Sequence, residues 1–139
     1  MPQLPSMTEL IVNRRAWIAI LTLALAVRVV AAVWWEARLG DEPFFFGDSV
    51  GYWELARTIA AVEPYQYLTP EARVFRTPGY PIVLSTVFLI YGDRPPVLAA
   101  RALGALLGTA AVAIAGWWAT LLFDARTGRI AGLLAAVYP

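Results

Sequence analysis

In the stretch FFFGDSVGYWELAR (44–57) one carboxylate, Asp48, stands between three phenylalanines and an amphipathic run that carries Glu54. The chain has no cysteine and no histidine. That excludes disulfides, zinc fingers, thiol or imidazole nucleophiles and imidazole bases within it, and leaves carboxylates as the side chains able to take a proton near neutral pH. At a helix start a carboxylate meets a partial positive charge that keeps it ionised, the state a general base needs. The same placement suits a plainer role, with Asp48 or Ser49 as the N-cap of a helix beginning near Val50, worth about 1 kcal/mol. The two roles are compatible. Two arginines also stand apart from the rest: Arg28 lies inside an apolar run, and Arg76 opens the segment RTPGYP.

The elements that position these residues follow from composition. The 139 residues are 60% hydrophobic and 15% charged, against about one quarter charged in ordinary soluble domains, and mean hydropathy is positive. This is membrane composition. The net charge is +1 and every basic residue is arginine, with no polybasic arm, so nothing points to a nucleic acid partner. Residues 16–35 hold one charge, Arg28, over about 20 positions, the length that crosses a hydrocarbon core of roughly 30 Å. A cleavable signal peptide would have an apolar region of only about 7–15 residues and a small-residue cleavage site. Here Trp34 and Trp35 close the run, as in an interfacial aromatic belt, which favours an uncleaved helix. Residues 98–123 form a second candidate span, uncharged after Arg101. Gly104, Gly108 and Ala111 or Ala115 in it permit close helix approach, whether as ordinary packing or as a Gly104–Gly108 dimer motif.

Arg14 and Arg15 before the first span, and Arg126 and Arg129 after the second, belong on the cytoplasmic side by the positive-inside rule. The expected topology is then a cytoplasmic N-terminus (1–15), a first span (16–35), an extracytoplasmic loop (36–97), a second span (98–123), a cytoplasmic turn (124–129) and the start of a third span (130–139). The chain is read as an N-terminal portion of a longer protein of the cell (inner) membrane. Within the loop, Tyr52, Leu55, Ala56, Ile59 and Ala60 recur at helical spacing opposite Glu54 and Arg57, and predict an interfacial helix over about 49–61. A second short helix is predicted over about 81–91, opened by Pro81 where a missing N–H is tolerated and too short to cross a bilayer. The expected fold is all-α: a polytopic transmembrane helix bundle with amphipathic juxtamembrane helices in the first extracytoplasmic loop.

Arranged in this order, the D-x-x-x-Y of Asp48–Tyr52 leading into LAR, then RTPGYP, then an Arg-led second span, then FDxRxGRIAGLLAA resemble the N-terminal part of GT-C membrane glycosyltransferases. The similarity extends over about 16–139, and is to bacterial protein O-mannosyltransferase-like enzymes and undecaprenyl-phosphate aminoarabinose transferases. The resemblance implies a polyprenyl-phosphate sugar donor presented from the lipid bilayer, a protein or lipid/glycan acceptor, and Asp48 as the catalytic residue that takes a proton from the acceptor hydroxyl, with inversion. It implies Arg76 as the contact to the donor phosphate, with Arg73 a second candidate; Tyr52, in the D-x-x-x-Y pattern, and Arg28, by its place inside the first span, are further donor-side candidates. A guanidinium offers paired donors that match phosphate oxygens; a lipid-headgroup or solvated Arg76 is the plainer alternative. Arg28 pairs either functionally, with a loop carboxylate or donor phosphate, or structurally, in a buried pair; Arg101 reads as an interfacial anchor. The loop aromatics either stack on a sugar or seat the loop among headgroups.

Two departures matter. Ser49 stands where some relatives carry a second acid, and Phe75 where the aminoarabinose enzymes place one, so no cofactor is implied and a divalent metal is not supported by this portion. The chain alone is expected to be inactive. The competing expectation is a non-enzymatic assembly or transporter subunit whose outer loop binds a partner while Asp48 only caps a helix.

Overall fold

The structure, a computed structural model, describes residues 7–40, 43–66 and 76–138. All regular secondary structure among them is helical: α1 (Met7–Leu39), α2 (Gly47–Ala60), α3 (Gly79–Tyr91), α4 (Val97–Leu122) and α5 (Ala125–Val137). Two of these helices, α1 and α4, are long and apolar enough to cross a membrane. Hydropathy located the apolar part of α1 and not its ends. The helix runs past both sides of 16–35 because no proline or glycine interrupts residues 7–39, and it stops where Gly40 takes a positive φ of 56°. Likewise α5 begins at Ala125, inside the stretch expected to be a turn. Asp124 caps it by accepting a hydrogen bond from the Thr127 amide at 2.7 Å, which with Arg126 nearby holds the Asp124 carboxyl below its usual range.

The chain divides into two compact units. The first comprises residues 1–32 and 104–139, and its core is Ile20 and Ala24 of α1, Val112 of α4 and Ala136 of α5, with Trp17, Leu21 and Ala135 packed against it. Three glycines allow this closeness. A Cβ at Gly132 would meet the Trp17 ring at 3.0 Å, one at Gly116 would meet that ring and the Gly128 carbonyl, and one at Gly128 would meet the Gly116 carbonyl at 2.7 Å. Of the small residues expected to permit close approach on α4, Gly108 is used within the chain, together with Gly116. Gly108 lies under the Arg28 side chain, 2.5 Å from its Nε to a would-be Cβ, while Gly104 has nothing within 4 Å. Gly128→Val is therefore expected to destabilise the fold by about 1–3 kcal/mol, since backbone carbonyl and Thr120 must both move. Thermal unfolding compared with Gly104→Val, expected to change little, checks it.

The second unit, residues 33–103, is built on α2 packed against α3. Ala56, Leu84, Val87 and Phe88 are buried, with Tyr52, Trp53, Ala60, Ala99, Ala100 and Leu103 against them. The predicted stripe of α2 is the face that packs: Leu55 and Ala56 are buried, while Tyr52, Ile59 and Ala60 are half-buried. On the other face Arg57 pairs with Glu54 at 3.0 Å. In α3, Pro81 falls in the first turn, where no intrahelical acceptor goes unserved. Gly92 closes that helix with φ 81° and its amide on the Phe88 carbonyl at 2.8 Å. Arg101, at the start of α4, pairs with Glu36 near the end of α1 and donates to the Pro43 carbonyl at 3.0 Å. It cross-links these elements.

Candidate functional site: the Asp48–Arg76 cluster

The α2 helix starts earlier than the loop pattern suggests, and this changes what Asp48 does. Phe46 occupies the N-cap position in an extended conformation with no side-chain cap bond, and its carbonyl accepts the Ser49 amide at 3.0 Å. Neither Asp48 nor Ser49 is the N-cap. The helix entry is held instead by packing, with the Phe44 ring 5.4 Å from Trp53, which in turn stacks on Phe88 at 4.7 Å. Asp48 lies inside the first turn, with the helix N-terminus favouring its charge, and its side chain is 74% exposed.

That side chain accepts a hydrogen bond from Nη2 of Arg76, across 28 positions of sequence. Arg76 stands just ahead of α3, and its side chain is largely covered, with 18% exposed. Part of the cover is aromatic: Tyr52, one turn beyond Asp48 on the same face of α2, lies with its ring centre 4.9 Å from the guanidinium carbon. Tyr80 meets the Tyr52 ring edge-on at 5.4 Å, and the Tyr65 hydroxyl donates to the Arg76 carbonyl at 2.9 Å. Burial alone would lower the Arg76 pKa. Hydrogen bonds with Tyr52 and Asp48 outweigh it, and the net direction is upward. Burial also raises Tyr65 and Tyr80, so both remain neutral phenols able to donate. The result is a guanidinium fixed over a tyrosine face next to a solvent-reachable carboxylate.

Of the candidate residues, Asp48, Arg76 and Tyr52 are brought together. Arg73 lies outside the described residues. Arg28 belongs to the other compact unit, and among the described residues it has no carboxylate partner. It donates to four backbone carbonyls: Ala24 at 3.0 Å, Ala136 and Ala135 at 3.2 Å each, and Tyr138 at 3.1 Å. Among the described residues the pairing is made to main-chain oxygens rather than to an acid. Main-chain carbonyls near the end of α5 carry partial negative charge and accept without needing an acid. Tyr80 lies outside the candidate set, although its four-residue spacing from Arg76 within RTPGYP is a usable signal. Tyr65 is one of the loop aromatics expected to stack on a sugar or seat the loop, and its hydroxyl holds the Arg76 main chain. Among the described residues no group of three or more Asp, Glu, His or Cys is placed to hold a metal ion. In comparisons with protein-family models, with curated proteins and with solved structures, nothing matches this chain.

Proposed function

We propose that this chain is the N-terminal portion of an integral membrane glycosyltransferase of GT-C type, which moves a sugar from a polyprenyl-phosphate donor to an acceptor hydroxyl on the extracytoplasmic face of the cell membrane. The observation that carries the reading is the pairing of an exposed carboxylate with a covered, always-charged guanidinium at one helix start. In the reaction the acceptor oxygen attacks the anomeric carbon as the bond from that carbon to the phosphate oxygen breaks. The hydroxyl proton passes to Asp48, and polyprenyl phosphate leaves with the additional negative charge. Arg76 meets that charge, needing no proton donor, because a guanidinium presents two N–H groups to phosphate oxygens and remains protonated. As the phosphate takes the guanidinium, the Asp48 oxygen that had accepted from Arg76 becomes available to the acceptor hydroxyl. Tyr52 holds Arg76 over its ring throughout. One displacement with one base inverts the anomeric centre.

The membrane setting is supported by what the two long helices leave uncovered. In the most apolar stretch of each, 11% of residues are buried, whereas the core helix of a soluble protein would be mostly buried. Ile18, Val30 and Val33 on α1 and Leu106, Ile114, Trp118 and Leu121 on α4 are each more than half exposed, a surface suited to acyl chains. On the same reading α2 and α3 are juxtamembrane helices. The outward face of α3 (Ile82, Leu89, Ile90) and the exposed rings of Phe45 and Phe46 seat the loop at the bilayer interface.

This chain holds no cysteine, so a thiol introduced into it reports topology when labelling is compared with that of the unsubstituted protein. In the full-length protein, Val62→Cys is expected to react with a membrane-impermeant maleimide in intact cells, and Arg126→Cys only after lysis. The reverse pattern would put Asp48 in the cytosol and end the proposal. A second reading has one observation in its favour: Asp48 is already paired. In that reading the Asp48–Arg76 bond ties the start of α2 to the approach to α3, Tyr65 on the Arg76 carbonyl closes the loop between the two helices, and together they form a structural clasp for a partner protein. The Asp48 variant treated in the Discussion separates the two.

A further inference from the structure

Glycosyl transfer, as assigned above, makes no use of an apolar pocket of about 330 Å³ lined by Trp17 and Leu21 of α1 and by Ala113, Trp117 and Thr120 of α4. All five residues belong to the same compact unit, and the volume is at the lower end of the roughly 300–1,000 Å³ typical of small-molecule sites. Its floor is closely packed, because the Trp17 ring lies directly over Gly116 and Gly132. Its rim is open, with Trp117 59% exposed.

The pocket has a basic end. Arg14, Trp17 and Leu21 stand at i, i+3 and i+7 on α1, so Arg14 continues the lining face by one more turn. Arg15 is its neighbour, and Arg126 follows Thr120 across the short turn between α4 and α5. All three arginines are exposed, and none has an ion-pair partner within 4.0 Å among the described residues. The carboxylate described at this end, Asp124, is committed to the Thr127 amide at 2.7 Å and also faces Arg126. An apolar slot whose lining face is continued along α1 by Arg14, with no ion-pair partner among the described residues, fits an amphiphile with a negative head. Another protein helix laid in the slot would instead desolvate Arg14 against apolar side chains, which is costly without a counter-charge.

We propose that this pocket holds one acyl chain of an anionic phospholipid whose phosphate is met by Arg14, with Arg15 and Arg126 adding attraction. Basic pockets between membrane helices bind such headgroups by the same electrostatics. The inference rests on the membrane reading and is independent of sugar transfer.

The test is native mass spectrometry of the full-length protein in dodecyl maltoside, titrated with phosphatidylglycerol or with phosphatidylcholine of the same acyl chains. One phosphatidylglycerol is expected to be retained at a concentration at least about fivefold below that required for phosphatidylcholine. Arg14→Gln, on an exposed position, should remove that preference with unchanged helix content by circular dichroism. Ala113→Leu, which fills the pocket, should reduce retention of both lipids. Equal retention of the two lipids by the native protein would overturn the site while leaving the membrane reading intact, and so would an undiminished preference in Arg14→Gln. Retention of neither lipid would overturn it as well.

Discussion

Asp48→Asn is expected to slow sugar transfer by the full-length protein by about 10²- to 10⁴-fold, the range that a positioned general base contributes. Asparagine keeps an oxygen where Arg76 Nη2 now donates, so the geometry at the start of α2 has reason to survive. What is lost is the capacity to take the acceptor's proton. The loss should fall on kcat, with little change in donor KM, because the proton moves only as the transition state is reached. Unfolding temperature should move far less than activity, since the carboxylate is mostly exposed and caps nothing. The clasp reading predicts the opposite ratio, with stability and activity falling together and by a small factor. Unchanged transfer by Asp48→Asn in a folded protein removes the catalytic assignment outright.

Arg76→Ala is expected to weaken donor binding by about 10- to 100-fold, as the loss of charged hydrogen bonds to a phosphate would. Donor KM should rise while acceptor KM holds, a split that a merely structural arginine would not produce. Arg76→Lys should recover part of the loss. A lysine keeps the charge but offers a point donor where the phosphate calls for two, and stacks less well on Tyr52. The variant also leaves Asp48 without its partner, so it must be read beside Asp48→Asn and the double variant: the carboxylate's role lies in kcat alone, whereas the guanidinium's lies in donor affinity and, through the charge on the leaving phosphate, in kcat as well. Equal decline of donor affinity and thermal stability in Arg76→Ala would count against donor contact.

Some of this was legible in the chain because it is local. The apolar length and composition of α1 and α4, the packed stripe of α2, the Glu54–Arg57 pair and the glycine stop of α3 all depend on neighbours within one or two turns, and helical periodicity encodes them. Helix ends were less legible. Hydropathy tracks solvent preference, not hydrogen bonding, so it missed the extension of α1 to Leu39 and the start of α5 at Ala125. The Asp124 and Thr127 spacing that begins α5 was present but outweighed by the charges around it.

The residue types alone decided that any proton transfer in this chain falls to carboxylates and that any fixed positive charge near neutral pH is a guanidinium, because histidine, lysine and cysteine are missing from it. Which carboxylate meets which guanidinium was settled only by folding. Packing of α2 on α3 brings Arg76 to Asp48 across 28 positions and lays it on Tyr52, while Arg28, equally conspicuous in the chain, is turned onto main-chain carbonyls. Side-chain identity is written position by position, but a pairing between distant charges depends on where the backbone carries them. That depends on the sum of apolar contacts along whole helices and not on the charged residues themselves.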